Sequence, residues 1–237
     1  MSARIADLRA FEVLDSRGRP TVEAEAVLDD GTAARASVPS GASTGRCEAV
    51  ELRDGDPARY GGRGVLRAVA NVEGEIADRL RGMDACDQAA VDAALVDLDG
   101  SPDRSRLGGN ALLAASTAVA RAGAASLGVP LWRHLGGEGQ PLPRPMVNAL
   151  SGGLHAGRGV DLQDYLAIPL AAGTFPQAIE QVAAVLAALA DELADRGRTL
   201  LRADEGGFAA WGGNEEGLAV LTRAIERAGL EPGVDIG

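Results

Sequence analysis

Lysine is missing altogether: the 237 residues carry 23 basic side chains, and every one is arginine. No side chain of this chain can therefore act as an amine base. Aromatic residues make up only 3%, so Leu, Val, Ile and Ala must fill the interior, and close packing of Ala-rich helices is expected. The two cysteines, Cys47 and Cys86, stand alone, without a C-x-x-C, and only His134 and His155 could supply imidazole. That spacing excludes a zinc ribbon or finger and fits a reducing compartment. No apolar run reaches bilayer length, and Met1-Ser2-Ala3-Arg4 leads straight into a mixed pattern without a signal-like apolar core. No membrane partner and a cytoplasmic location are expected. Positive charge is also in deficit, with a net charge of −11. This opposes long-range attraction to phosphate backbones or anionic lipid, so nucleic acid is excluded as an expected partner and a phosphorylated ligand needs a local site.

What is present is 46% hydrophobic and 24% charged, the composition of a globular chain. Val22, Ala24, Ala26 and Leu28 alternate with Glu23 and Glu25, the period of a half-buried antiparallel strand. Asp15-Ser16-Arg17-Gly18-Arg19-Pro20 separates it from an earlier strand, 4–14, and Asp29-Asp30-Gly31 is a hairpin signal leading to a third. From Val65 the period becomes helical, with Val65, Leu66, Val69, Val72, Ile76 and Leu80 on one stripe. Helices are predicted over 87–98 and 110–127, the second rich enough in Ala, Ser and Gly to pack closely on two sides. Strands followed by helices indicate an α+β domain. The Gly/Pro-rich stretch 137–145 reads as a linker between domains at 1–136 and 146–237. Beyond it, 146–150 and 162–170 are apolar enough for buried strands. A helix over 175–196 carries Ile179, Val182, Leu186, Leu189 and Leu193, another covers 214–228, and Val234-Asp235-Ile236 resembles the lead-in to a further strand.

Two segments carry the chemistry. Ser40-Gly41-Ala42-Ser43-Thr44-Gly45 combines flexible glycines with hydroxyls that could meet an anion or a hard metal, although by composition alone it is a surface loop. Asp204-Glu205-Gly206-Gly207 could project a carboxylate from a loop into a cleft or form a solvated acidic turn. In context, Val38 to Gly45 continued by Glu48-Ala49-Val50-Glu51-Leu52-Arg53-Asp54-Gly55-Asp56 resembles the mobile active-site loop of enolases. Asp15-Ser16-Arg17-Gly18, Pro20-Thr21-Val22-Glu23, Gly108-Gly109-Asn110-Ala111, Ser151-Gly152-Gly153-Leu154-His155-Ala156-Gly157 and Asp204-Glu205-Gly206-Gly207 extend the resemblance over essentially the whole chain.

The resemblance implies an α+β N-terminal domain, an antiparallel meander with helices, followed by the start of an incomplete α/β barrel of the TIM type. It covers a little over half of what an enolase contains. It also implies a lyase, phosphopyruvate hydratase, dehydrating 2-phosphoglycerate to phosphoenolpyruvate with Mg2+. Glu205 corresponds to the proton donor to the departing hydroxyl, a task that needs a carboxyl kept protonated near neutral pH. His155 matches a substrate-closing loop histidine, which could equally be a structural residue. Gln163 matches a ligand contact, and Ser40 matches the loop serine that helps bind a second Mg2+.

Asp164 departs from the pattern, since glutamate is usual after that glutamine. Its carboxylate lies about 1.5 Å further back, and a misplacement on the order of 1 Å can cost roughly 100-fold in rate. Leu154 and Arg158-Gly159 depart as well, which favours a divergent paralogue. Enolase-type sites pair magnesium with a base that in true enolases is lysine. Neither that lysine nor the family's three later carboxylate ligands has a counterpart here, so the expectation is an enolase portion that is inactive alone, with sticky open barrel edges. The alternatives are an enzyme acting on a phosphonate relative of phosphoenolpyruvate, of the carboxyphosphonoenolpyruvate synthase type, or a non-catalytic interaction protein. A homodimer is expected of a full-length form.

Overall fold

A computed structural model describes residues 3–41, 44–158, 160–203 and 205–237, with His155 described in its backbone only. The chain divides into two compact units, residues 1–140 and 141–237.

The first unit opens with β1 (Ile5–Leu14), β2 (Pro20–Leu28) and β3 (Ala33–Ser37), an antiparallel sheet in the order β1-β2-β3. Its register sets Ala10 opposite Ala24 and Ala24 opposite Ala36. The alternation read in β2 is realised: Val22, Ala24, Ala26 and Leu28 are buried, and the intervening Glu23 and Glu25 face the side where Arg35 pairs with them. Across β2 and β3 lies α4 (Gly109–Ser126). Ala111, Ala114, Ala115, Ala118 and Ala122 are fully buried along it. Small side chains let the helix axis approach the sheet, so an interior almost without aromatic residues is still filled.

The helical stripe from Val65 forms, except that Leu66 is 47% exposed, and it does not form as one helix. It runs as α1 (Leu66–Asn71), a π-helical turn (Val72–Ile76) and α2 (Ala77–Leu80), interrupted where Gly74 leaves helical geometry (φ −98°, ψ −107°). Helical register is recovered afterwards, so Val72, Ile76 and Leu80 all remain fully buried. In α3 (Gln88–Asp99) the Asp87 carboxylate caps the helix by accepting from Ala90 N–H at 3.0 Å. A short α5 (Leu131–His134), not signalled by periodicity, ends the unit's regular structure.

In the second unit β4 (Val147–Ser151) is central, with β5 (Asp164–Ala167) antiparallel on one side and β6 (Phe208–Ala209) parallel on the other. Helices α6 (Phe175–Asp195) and α7 (Asn214–Arg227) pack on each other and on β4. The described residues form an open part of a TIM barrel, with no closed barrel among them. β5 is shorter than the apolar run 162–170, because Ile168 to Leu170 leave the ladder and pair instead with Asp235 to Gly237. The Val234-Asp235-Ile236 segment thus folds back beside β5 instead of forming a named strand. In α6 the inward face is Val182, Val185, Ala188, Leu189 and Leu193, while Ile179 is 44% exposed. No helix among the described residues is long and apolar enough to cross a membrane.

Candidate functional site

A first candidate region, the loop around Ser40, belongs to the first unit. Asp15 Oδ1 accepts from the backbone N–H of Arg17 (2.9 Å) and of Arg19 (2.8 Å), folding the β1–β2 connection into an Asx-type turn. The hydrogen bond from Arg19 N–H leads the causes that hold this carboxyl below the usual aspartate value. The turn presents Arg17, whose guanidinium donates to the Ser40 carbonyl. Arg53 meets the same residue from the other direction: its Nη2 donates to Ser40 Oγ at 3.0 Å and to Glu51 at 2.8 Å, and its Nη1 to the carbonyls of Pro20 (2.6 Å) and Arg63 (2.8 Å). Beside this knot is an open cavity of about 680 Å3 lined by Pro39, Gly41, Thr44, Gly45, Glu48 and Arg53, among others. Ala42 and Ser43 lie outside the described residues.

The segment 49–53 that delivers Arg53 is docked by Gly108-Gly109-Asn110-Ala111. Asn110, 3% exposed, uses its side-chain amide as a strand would: Oδ1 accepts from Leu52 N–H (3.0 Å) and Nδ2 donates to the Leu52 carbonyl (3.1 Å). Gly109 N–H donates to the Val50 carbonyl at 2.8 Å. A Cβ at Gly108 would lie 2.5 Å from Leu52 Cβ, so only glycine permits the approach.

A second, separate candidate region, the carboxylates, is in the second unit. Asn148 of β4 gathers it: its Nδ2 lies 2.7 Å from Asp164 Oδ1, 3.0 Å from Ser151 Oγ and 3.5 Å from Glu205 Oε2. Glu205 stands in a turn closed by Gly206 N–H to Ala203 O and Ala203 N–H to Gly207 O, both 2.9 Å. Gly207 is required by packing, because a Cβ there would come within 2.6 Å of Asn148 Oδ1 and 2.7 Å of Ser151 Oγ. Asp164 is anchored from behind by its neighbour Tyr165, buried and donating its hydroxyl to the Asn214 carbonyl at 3.2 Å. Burial pushes the Tyr165 phenol up, so it stays a neutral donor.

Of the residues singled out from the sequence, Asp164 and Glu205 are brought together. Gln163 is exposed beside them, its carbonyl accepting from Gly152 N–H at 2.7 Å. The His155 side chain and Asp204 lie outside the described residues. Ser40 is placed in the first unit, with a guanidinium on its hydroxyl and another on its carbonyl. These are poor surroundings for a divalent cation. Among the described residues no group of three or more His, Cys, Asp and Glu could hold a metal ion. The described residues therefore do not fit Mg2+ on their own.

Asn148 and Asn110 were not among the residues singled out for chemistry. The signal for Asn148 was a lone amide inside the apolar run Met146-Val147-Asn148-Ala149-Leu150, where an unneeded polar group is costly. For Arg17 and Arg53 the sequence shows the motifs but not their convergence on Ser40, which depends on contacts 23 and 13 residues apart.

The description of the enolase N-terminal domain matches residues 5–135, and that of the enolase C-terminal TIM barrel domain matches residues 140–237. Together these matches cover nearly the whole chain, which belongs to the enolase family.

Proposed function

We propose that this chain carries the proton-donor side of an enolase-type lyase acting on 2-phosphoglycerate. The observation that carries the reading is the gathering of Glu205 and Asp164 on the Asn148 amide, within 3.5 Å of one nitrogen. Dehydration removes the proton at C2 and the hydroxyl at C3. Glu205 delivers its carboxyl proton to that hydroxyl, the C3–O bond breaks with its electron pair leaving on oxygen as water, and the electrons of the C2 carbanion form the C2–C3 double bond. Proton transfer of this kind contributes roughly 100-fold to 10,000-fold. Without it the leaving group is hydroxide.

The base that removes the C2 proton is not supplied by lysine here, because the chain has none. The magnesium that the family resemblance implies finds no donor set among the described residues. Both belong to the complementary part of an enolase barrel. The isolated 237-residue chain is then expected to show no magnesium-dependent formation of the enol product. Adding a separately purified enolase barrel segment that carries the lysine and carboxylates restores turnover, and Glu205→Gln abolishes the restored activity. Turnover by the isolated chain that disappears on Glu205→Gln would refute the half-site reading. Restored turnover indifferent to Glu205→Gln would refute the donor assignment.

A second substrate reading, a phosphonate relative of phosphoenolpyruvate, is favoured by one feature. The Asp164 carboxylate, one methylene shorter than the usual glutamate, accepts from Asn148. In the complemented enzyme, Asp164→Glu is expected to raise kcat/KM for 2-phosphoglycerate relative to the phosphonate. An unchanged ratio would remove this reading.

A further inference from the structure

The Asn148 side chain presents one nitrogen to three acceptors. A primary amide carries two hydrogens on that nitrogen, while Asp164 Oδ1, Ser151 Oγ and Glu205 Oε2 stand at 2.7, 3.0 and 3.5 Å from it. Two of the three can be served well. The distances assign the hydrogens to Asp164 and Ser151, and Glu205 receives the weakest share.

The amide oxygen shows what holds this orientation. Asn148 Oδ1 is buried with no hydrogen-bond partner among the described residues, a state that ordinarily costs a side chain free energy. Turning the amide over would relieve nothing, since it would set the oxygen against the two carboxylates and the nitrogen into the pocket under Gly207. This orientation points one N–H at Ser151 and the other at the acidic pair, Asp164 being the nearer. Ser151 is fully buried and cannot leave its hydrogen bond without a similar loss. The adjustable choice lies between the two exposed carboxylates.

We propose that Asn148 is the positioning residue of this site, and that Asp164 and Glu205 compete for one of its two amide hydrogens. In this structure Asp164 holds that hydrogen. Aspartate is suited to do so because its carboxylate sits about one methylene closer to its own strand than a glutamate's would. Asn148 thereby couples the residue at 164 to the one at 205: whatever draws Asp164 away, a substrate group included, passes an N–H to Glu205. This role rests on the reading of Glu205 as proton donor, but its test does not require turnover.

The experiment is a double-mutant cycle on the full 237-residue chain, reading hydrogen exchange of the Asn148 side-chain amide by 15N NMR. Asn148→Ala identifies the signals by their loss. Asp164 and Glu205 are both exposed, so Ala at either leaves the core intact. Competition predicts that Glu205→Ala alone, or Asp164→Ala alone, changes the protected proton's exchange by less than about threefold, because the other carboxylate takes it over. The double variant is expected to exchange at least about tenfold faster, the scale of losing a hydrogen bond to a charged acceptor. If the double variant equals the product of the two singles, the carboxylates do not share a hydrogen and the proposal fails. If neither single nor double variant alters exchange, Asn148 positions neither group and the proposal also fails. Either result would leave the enolase reading to its own activity test.

Discussion

Replacing Asn110 by alanine should destabilise the first unit, and the loss can be worked from two bonds. The Asn110 amide satisfies both the N–H and the carbonyl of Leu52, at 3.0 and 3.1 Å, at a point where Asn110 is 3% and Leu52 9% exposed. Alanine removes both partners and leaves two backbone groups without hydrogen bonds, each costing about 1–3 kcal/mol. Its better helix propensity in α4 returns about 0.5 kcal/mol, so a net loss of about 3 kcal/mol is expected. For the 140 residues of this unit, an unfolding entropy of about 2.1 cal/mol/K per residue gives about 0.3 kcal/mol/K, hence a fall in Tm of about 10 °C. Calorimetry of the full chain measures it, and exchange of the Leu52 amide locates it. Asn110→Asp supplies an internal control: a protonated carboxyl can both accept from Leu52 N–H and donate to its carbonyl, whereas the carboxylate can only accept. Relative to the unmodified chain, that variant should be less impaired in acid than at neutral pH. A Tm loss under about 3 °C for Asn110→Ala, with the Leu52 amide still protected, would refute the reasoning.

Gly207→Ala is expected to destabilise the second unit by about 1–3 kcal/mol, since its Cβ would lie 2.6 and 2.7 Å from Asn148 Oδ1 and Ser151 Oγ; denaturant titration measures the loss, and a neutral result would mean that Asn148 is not packed where it stands. A pH dependence follows from Glu12, which Arg59 chiefly holds below the ordinary glutamate value, with the N–H of Val65 adding to it at 2.8 Å. Because the folded value is the lower one, this carboxylate's contribution is present above the unfolded value of about 4.3 and is lost as pH falls through the folded value. Glu12→Gln should therefore flatten the acid limb of the stability profile below about pH 4.3, and an unchanged limb in acid urea titrations would count against it. Arg53→Gln is expected to free the 39–41 segment, seen as faster exchange of the Ser40 and Gly41 amides, because Arg53 joins Ser40, Pro20, Glu51 and Arg63; unchanged exchange would show that Arg17 holds the segment alone.

Periodicity carried the fold where one element could be read against one face. The alternation of Val22, Ala24, Ala26 and Leu28 reported a sheet with one dry side, and the Ala-rich run to Ser126 reported a helix buried nearly all round. It failed where tertiary pairing decided the outcome. The run 162–170 is uniformly apolar, yet its last residues exchange β5 for the segment ending at Gly237, a choice no local pattern encodes. The helix from Val65 kept its stripe while Gly74 broke its geometry, because the side chains facing the core are spaced to tolerate the extra turn width.

The candidate site was legible as carboxylates but not as an arrangement. Glu205 and Asp164 were visible as residues of the right kind, and family resemblance gave them roles, but neither composition nor spacing shows that a nitrogen 16 residues from one and 57 from the other joins them. That link changes what Asp164 means. Read from the sequence, the missing methylene is a defect, a carboxylate set back by about 1.5 Å from a substrate it should touch. Read in the structure, the same retreat puts Asp164 2.7 Å from Asn148, where it holds a hydrogen that Glu205 would otherwise receive. On the proposed reading of Glu205 as proton donor, the shorter side chain is part of how that group is set, and restoring glutamate at 164 should disturb Glu205 even though Asp164 opens β5 and Glu205 stands in the turn before β6.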